Sequence, residues 1–343
     1  MDPVTIVIFV TVFALIFDMA NGWNDAANAI ATVVGTRVMR PVPAVIFGAV
    51  LNGIGALFSA EVAKTVGAEI VPKDILNDQS IGPYIFMAAV AGAPIWITWC
   101  TVRGLPISCS HSLLGALVGA ALFASGSNGV MGDGIMKVGK GIIASPIAGF
   151  LFGLILVVII SRICAKMKPR KANWFFDKAQ IVSAGAMAFS HGTGDAQKAM
   201  GIITGVMVAT HQQDISGGFY IENWVRLSCA AAMFFGSIVG GWGVMRTLGS
   251  RLGEMKSYQG FAAETGASTT ILLNTLAGVP ISTTHSITGA IMGVAAGRGR
   301  KAVRWNVGKK ILFAWVATFP ASMALGAASF FLLRGLLRGA WTV

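Results

Sequence analysis

The sequence predicts an all-α polytopic membrane protein made of two inverted-topology repeats, with broken helices and two re-entrant helical hairpins. Three observations predict this fold class: a shortage of charge, apolar segments of membrane-spanning length, and motifs that recur in both halves. The 343 residues are 55% hydrophobic and 12% charged, whereas roughly 25% are charged in soluble proteins. A soluble chain of this length would form several domains with charged surfaces. Too few charges are present to cover such surfaces.

The apolar segments differ in how they are interrupted. Uninterrupted stretches of about 20 residues, long enough to cross bilayer hydrocarbon, occur near 44–60, 81–102, 137–160, 224–245 and 311–333. Two further apolar runs are interrupted by polar residues, at 18–25 and 190–195, and we expect broken membrane helices there. Two more contain proline and small polar residues, at 104–111 and 278–285. We expect these two to be the tips of re-entrant hairpins.

The interrupted segments recur in the same order in both halves. Residues 104–120 match residues 278–294 at nine of 17 positions, at an offset of 174. Asp25 aligns with Asp195 at the similar offset of 170. Two motifs that recur at nearly the same offset indicate an internal duplication.

The duplication divides the chain into a first transmembrane repeat at 1–165, a basic cytoplasmic linker at 166–178 and a second repeat at 179–343. Cytoplasmic loops of membrane proteins carry an excess of Lys and Arg. If the N-terminus lies outside and each hairpin returns to its own side, 17 of the 26 cations lie in cytoplasmic loops. Both termini are then outside and the repeats are inverted, as is typical of secondary transporters. The net charge of +12 therefore needs no nucleic-acid partner.

Two aspartates in the apolar segments are candidates for a cation site, because a carboxylate inside a bilayer costs free energy. Asp25 and Asp195 each follow an expected helix break. A break leaves backbone carbonyls unpaired, and carbonyls beside a carboxylate suit a hard cation such as Na⁺. The amide oxygens of Asn24, Asn28 and Gln197 would add ligands. The alternative is that each aspartate only caps a helix.

The two proline-containing tips indicate an anion site. Proline ends one half-helix and Ser or Thr opens the next, whose first turn has unpaired N–H groups and a positive dipole end. Two such termini that meet in the membrane would surround an oxyanion. The candidate residues are Ser108, Cys109, Ser110, His111, Ser282, Thr283, Thr284 and His285. Ordinary helix capping is the alternative for the hydroxyl residues, and a proton-carrying or scaffold role is the alternative for the histidines.

Four other polar residues lie near these motifs. Glu264, on the first arm of the second hairpin, is a candidate for coupling or for a structural ion pair. Lys198 follows Asp195 on nearly the same helix face, so it either attracts the anion or pairs with Asp195. His191 is expected to fix a kink, and Asp18 to be interfacial or structural.

No spacing of the four cysteines suggests a disulfide framework or zinc site, and no catalytic motif indicates an enzyme. We expect no organic cofactor.

These motifs resemble those of the PiT family of inorganic phosphate transporters. The matching stretches are 21–29, 190–198, both tips, 260–264 and 302–305, and the resemblance extends over essentially the whole chain. It implies two inverted repeats, re-entrant hairpins, and symport of phosphate with Na⁺ or H⁺. It also implies that the coupling ions bind around Asp25 and Asp195 and that phosphate binds at the tips. We expect a multi-pass protein of the cell inner (plasma) membrane and consider a homodimer.

The second half departs from the family pattern, which usually reads Gly-Thr-Asn-Asp there. Gly194 stands where the asparagine that matches Asn24 would be. The second cation site therefore lacks an amide oxygen, and it is either absent or left to backbone carbonyls and water.

Phosphate is favoured over sulfate because it still carries protons at neutral pH and can donate them to a carboxylate. A symporter for another oxyanion such as sulfate, and an anion channel, are the alternatives. Two acid-bearing interruptions argue against the channel.

Overall fold

The computed structural model describes residues 2–214, 218–252 and 255–338, and its regular elements in these ranges are helices. In chain order the α-helices are α1 (Pro3–Gly35), α2 (Pro41–Ala56), α3 (Glu61–Ala68), α4 (Lys73–Asn77), α5 (Gly82–Val102), α6 (Cys109–Ser125), α7 (Gly132–Cys164), α8 (Pro169–Ala209), α9 (Asn223–Val239), α10 (Trp242–Arg246), α11 (Ser257–Leu276), α12 (Thr283–Ala296) and α13 (Trp305–Arg338). The predicted all-α class is confirmed.

Many of these helices have the length and composition of membrane spans. Five described helical segments qualify alone: α1, α5, α6 with the turn that follows it (Cys109–Gly129), α7 and α13. Two bent pairs, α2 with α3 and α9 with the segment 242–251, raise the number to seven if each pair is one span. Large apolar side chains are exposed on the outer faces, among them Ile8 of α1 and Phe313 of α13. Lipid covers such faces, so the prediction of a polytopic membrane protein is supported by both composition and surface.

α1 and α8 are continuous where breaks were expected. α1 passes through 18–25 and α8 passes through 190–195 without interruption, so the prediction of broken helices and freed carbonyls at these places is wrong. The polar residues there, Asp18 and Asp195 among them, are at most 3% exposed. They face other helices and not lipid, so the backbone keeps its helical hydrogen bonds while the side chains find partners inside the protein.

The predicted breaks at the two tips are present. The chain leaves helical geometry between α5 and α6 and again between α11 and α12. Gly104 and Gly278 open these breaks with φ of 67° and 65°, a left-handed conformation that glycine adopts without a Cβ clash. α5 packs against α6, and α11 against α12.

The basic segment that joins the halves is mostly helical. α7 ends at Cys164 and α8 begins at Pro169, so the predicted linker at 166–178 consists largely of the first turns of α8. Proline is suited to this helix start because its missing N–H has no partner there.

The helices of the two halves pack in a reciprocal way. α6 packs against α13 and α12 against α7; α5 packs against α13 and α11 against α7; α9 packs against α1 and α2 against α8. Each helix thus has a counterpart in the other half, and counterparts make corresponding contacts. The counterparts are α1 and α8, α2 and α9, α5 and α11, α6 and α12, and α7 and α13. α1 and α8 also contact each other, which places the two aspartate-bearing helices side by side.

Close helix approach depends on glycine at particular positions, as α7 and α12 illustrate. A Cβ added to Gly153 of α7 would lie 2.5 Å from the carbonyl oxygen of Ala290 and 2.9 Å from its Cα. These distances are below van der Waals contact, so α12 can approach only a glycine at this position.

We expect Gly153→Ala to destabilise the protein by about 1–3 kcal/mol, because the two helices must separate to admit the methyl group. Gly139→Ala is the matched control on the same helix, since no atom lies within 4 Å of a Cβ there. It should be neutral or slightly stabilising, because alanine has the higher helix propensity. Thermal unfolding of both purified variants in detergent measures the difference, and equal melting temperatures would contradict the packing argument.

Candidate functional site

The contact between α1 and α8 brings two carboxylates and a histidine together. Ligand atoms of Asp25, His191 and Asp195 all lie within 4.8 Å of one another. His191 Nε2 lies 3.0 Å from Asp195 Oδ2 and 3.7 Å from Asp25 Oδ2. With Lys198, these residues are called the carboxylate cluster below, and each is at most 1% exposed. Buried carboxylates this close need positive charge or donors beside them.

Amide and hydroxyl groups surround Asp25. Its Oδ1 accepts hydrogen bonds from Asn28 Nδ2 at 2.9 Å and from Thr284 Oγ1 at 3.0 Å. Asn24 Nδ2 donates to Thr101 Oγ1 at 2.6 Å. Within the described part of the chain, the amide oxygens of Asn24 and Asn28 are buried and have no hydrogen-bond partner. Unpaired buried oxygens beside a carboxylate are the ligands that a hard cation takes.

A different set of groups surrounds Asp195. Lys198 Nζ forms an ion pair with its Oδ1, and Thr283 Oγ1 donates to its Oδ2 at 3.2 Å. The Lys198 side chain is 1% exposed. The sequence left Lys198 with two roles, and the structure places it in the ion pair with Asp195.

Gln197 lies away from the carboxylate cluster. Its Oε1 accepts from the backbone N–H groups of Val62 and Ala63, at 2.7 and 3.2 Å, and its Nε2 donates to the Thr193 carbonyl at 2.6 Å. Gln197 therefore supplies an acceptor to unpaired N–H groups at the start of α3, and its assignment as a cation ligand is corrected. On a continuous helix, residues two apart point about 200° apart, so Gln197 faces away from Asp195.

The two tips meet and bond to each other. Thr284 Oγ1 lies 2.8 Å from the Ile107 carbonyl oxygen and shares its single proton between this carbonyl and Asp25, and Ser110 Oγ donates to the Ile281 carbonyl at 3.0 Å. Each helix start thus holds the extended stretch of the opposite tip. The predicted meeting of the tips is present in this geometry.

The serine before each helix acts as its N-cap. Ser108 Oγ accepts from the His111 N–H, and Ser282 Oγ accepts from the His285 N–H, both at 3.1 Å. In each helix the N–H groups of the first two residues remain, and they have no carbonyl one turn earlier to bond. The two residues that open α6 and the two that open α12 therefore present N–H groups at the junction of the tips.

The first side chain of each of these helices lies beside an aspartate. The Cys109 thiol lies beside Asp25, and the Thr283 hydroxyl bonds to Asp195 as described. Both helix starts therefore adjoin the carboxylate cluster. An anion held by the N–H groups would lie close to these carboxylates.

The two histidines of the tips lie against each other. The His111 and His285 ring centroids are 4.6 Å apart, and the His285 ring packs on the Trp315 indole with centroids 3.7 Å apart. Trp315 Nε1 also donates to the Pro106 carbonyl at 3.1 Å. The structure thus gives both histidines an aromatic packing partner.

Glu264 is buried in a separate set of hydrogen bonds. Thr32 and Ser183 donate hydroxyl groups to it, and Gln180 Nε2 donates at 3.2 Å. Within the described residues no Lys or Arg side chain forms an ion pair with Glu264, so the predicted structural ion pair is not found. Its carboxyl group joins α11 to α1 and α8.

His191 contributes more than the sequence suggested. Asn52 Nδ2 donates to Ser237 Oγ at 2.8 Å, and Asn52 Oδ1 lies 3.0 Å from His191 Nδ1. This chain fixes the imidazole so that Nε2 faces the carboxylates. The expected kink is absent; the signal for the observed role is that His191 precedes Asp195 by four residues, one turn of a continuous helix.

Asp18 begins a row of buried polar groups on α1. Asp18 and Asn21 are both 0% exposed; the Cys229 thiol lies beside Asp18, and among the described residues the Asn21 side chain has no hydrogen-bond partner. Spacings of three and four residues put Asp18, Asn21 and Asp25 on one helix face. Asp18 is therefore buried in the protein and not exposed at an interface.

Comparison with known proteins places these features in a family. A model of the phosphate transporter family matches residues 21–326. A protein described as a probable low-affinity inorganic phosphate transporter of Rhizobium meliloti (strain 1021) is 42% identical over 321 residues, covering 93% of each chain. A Bacillus subtilis (strain 168) protein of the same description is 38% identical over 95% of this chain and 97% of its own.

A solved structure shares the fold. It is titled "The sodium-dependent phosphate transporter", is 25% identical, and superposes with a TM-score of 0.85 over 96% of this chain and 99% of its own. The relatives are named as transporters, which agrees with the expectation that the chain is a transport protein and not an enzyme. By the family match and by these identities, the chain belongs to the phosphate transporter family.

Proposed function

We propose that this chain imports inorganic phosphate by symport with a cation, Na⁺ or H⁺, and alternates access about the junction of the two tips and the carboxylate cluster. The observation that carries the proposal is the junction itself, where two helix N-termini adjoin two buried carboxylates. Helix N-termini attract an anion, and carboxylates attract a cation. A site that contains both helix N-termini and carboxylates can bind an anion and a cation together.

Phosphate suits the anion side of this site. Free N–H groups at the starts of α6 and α12 would bind its oxygens, with the Ser110 and Thr284 hydroxyls beside them. At neutral pH phosphate also carries one or two protons, which it can donate to a carboxylate such as Asp25. Sulfate has no such proton, so the same carboxylate would repel it.

A coupling cation is needed because phosphate must approach carboxylates of the same sign. Two unit charges 4 Å apart repel by about 4 kcal/mol at an effective dielectric constant of 20. A cation at Asp25 removes most of this repulsion, so each ion favours the binding of the other.

The groups around Asp25 favour Na⁺ as this cation. A proton needs a single acceptor, whereas a metal ion needs several oxygens, and the unpaired amide oxygens of Asn24 and Asn28 supply them. The structurally similar transporter is titled sodium-dependent, which agrees with this choice.

The reciprocal packing supports two repeats, 1–165 and 179–343, joined at 166–178. We assign α5–α6 and α11–α12 as re-entrant hairpins that open to opposite sides, which makes the repeats inverted. The distribution of Lys and Arg favours termini on the outside and a cytoplasmic central segment in the inner membrane. The two repeats would then exchange accessibility around the fixed site.

Asp25→Asn and Asp195→Asn should each slow the uptake of labelled phosphate by about tenfold or more, because each removes a buried charge from the carboxylate cluster and so changes the charge balance on which cation binding depends. Uptake is measured in proteoliposomes under an inward Na⁺ gradient. Asp133→Asn, at an exposed position at the start of α7, is the control and should transport normally. Wild-type rates in both cluster variants would contradict the proposal.

Thr284→Val should raise the KM for phosphate about tenfold, since it removes the donor to the Ile107 carbonyl and one of the two donors to Asp25 Oδ1, and an unpaired buried group costs about 1–3 kcal/mol. Thr288→Val is the matched control, because the Thr288 hydroxyl is buried without a partner in the described structure. Initial uptake rates at varied phosphate concentration measure both values, and equal KM values would argue against a role for the tip hydroxyl.

Arsenate, which shares the protonation of phosphate, should compete with labelled phosphate uptake, whereas sulfate should not. The reason is that only a protonated oxyanion can donate to the carboxylates. Inhibition by each anion at pH 7 measures the preference. Equal inhibition by sulfate would assign the site to oxyanions in general.

A further inference from the structure

The two aspartates of the carboxylate cluster occupy equivalent positions in the two halves, but their neighbours differ. The residue before the aspartate is Asn24 in α1 and Gly194 in α8. The residue three positions after it is Asn28 in α1 and Lys198 in α8.

The preceding residue decides whether a buried amide adjoins the aspartate along the chain. Asn24 Nδ2 donates to Thr101 Oγ1 at 2.6 Å and keeps its amide oxygen free. Thr275 is the counterpart of Thr101 at the offset of 174, and a Cβ on Gly194 would lie 3.0 Å from its Oγ1. The hydroxyl that would hold an amide is thus present in the second half, and only the amide is missing.

The following residue decides which group compensates the carboxylate. Asn28 donates an N–H to Asp25 at 2.9 Å and brings no charge. Lys198 brings a full positive charge to Asp195 Oδ1, buried at 1% exposure. When the His191 imidazole is neutral, two carboxylates and one ammonium leave one negative charge. The unpaired oxygens that would hold a cation for that charge are on the Asp25 side.

We propose that Lys198 is a tethered cation, whose ammonium group occupies the place that a second exchangeable Na⁺ would take at Asp195. The proposal rests on the proposed function of Asp25 as the site of the exchangeable Na⁺. A second Na⁺ at Asp195 would have to lie against the ammonium group, which repels it and which the chain prevents from leaving.

The consequence concerns the coupling ratio. The ammonium group neutralises Asp195 throughout the transport cycle, but it stays attached to the protein and is not transported. The cluster therefore transports one Na⁺ fewer per cycle than a cluster with two amide-lined Na⁺ sites would. Each co-transported Na⁺ adds its own concentration gradient and membrane potential to the driving force. This chain therefore sustains a smaller phosphate gradient than a carrier with two exchangeable ions.

Binding of ²²Na⁺ to the purified full chain in detergent tests this, in an Asp25→Asn background that removes the first site. With Lys198 present we expect no specific binding. Gly194→Asn with Lys198→Asn copies the residues of α1 and should create a site for about one ion per chain, which Asp195→Asn then abolishes. Gly194→Asn with Lys198→Arg keeps the positive charge and is the matched control, with no binding expected.

The reciprocal exchange tests the same idea on α1. Asn28→Lys, in an otherwise wild-type chain, should abolish ²²Na⁺ binding, while Asn306→Lys, the same change at an exposed position of α13, should retain it. Because the two exchanges are on different helices, a variant that fails to fold leaves the other as the test.

Two results would overturn the proposal. One is ²²Na⁺ binding in the Asp25→Asn chain that is lost with Asp195→Asn, because Lys198 would then not exclude the ion. The other is a folded Gly194→Asn, Lys198→Asn variant that gains no binding. A failure of the proposed function would be seen separately, as an absence of labelled phosphate uptake by wild-type proteoliposomes.

Discussion

The repulsion between two buried carboxylates is the constraint on which the rest of this structure depends. Asp25 and Asp195 are brought within one cluster by helices that contact each other, in an interior that screens charge poorly. At an effective dielectric constant of 20, such a pair repels by about 4 kcal/mol at 4 Å. The surrounding groups reduce this cost: an ammonium group, an oriented imidazole, two tip hydroxyls and two helix N-termini. These groups offset only part of the negative charge of the two carboxylates, and a bound mobile cation can neutralise the rest.

Close approach of the helices makes this arrangement possible, and glycine makes the approach possible. A Cβ on Gly22 would lie 2.6 Å from the Met233 carbonyl oxygen, and a Cβ on Gly192 would lie 2.7 Å from the Asn52 carbonyl carbon. The two glycines stand three residues before the two aspartates, so α1 fits against α9 and α8 fits against α2 beside the cluster. Part of the high glycine content therefore has the same structural role in both halves.

The sequence predicted the membrane class, the breaks at the tips and the pairing of Asp25 with Asp195, because each depends on local composition or on the internal repeat. Prediction from the sequence failed where the structure depends on which face of a helix packs against other helices. Hydropathy treats a polar residue in an apolar run as a break, so the continuity of α1 and α8 was missed. The same error misplaced Gln197 and left His191 as a kink residue, since helical periodicity was not continued across the supposed break.

Under the proposed function, the anion-binding groups and the cation-binding groups are distributed differently over the two halves. On the anion side the halves are alike, since each tip has a serine cap, free N–H groups and a hydroxyl that bonds to the opposite tip. On the cation side they differ, since Asn28 has Lys198 as its counterpart. Under the proposed mechanism both repeats must present the same anion site in each state, so symmetry is useful there. The cation-binding groups need not be alike in the two halves, because only the total positive charge beside the two aspartates must be the same. One mobile cation and the Lys198 side chain together can supply that charge.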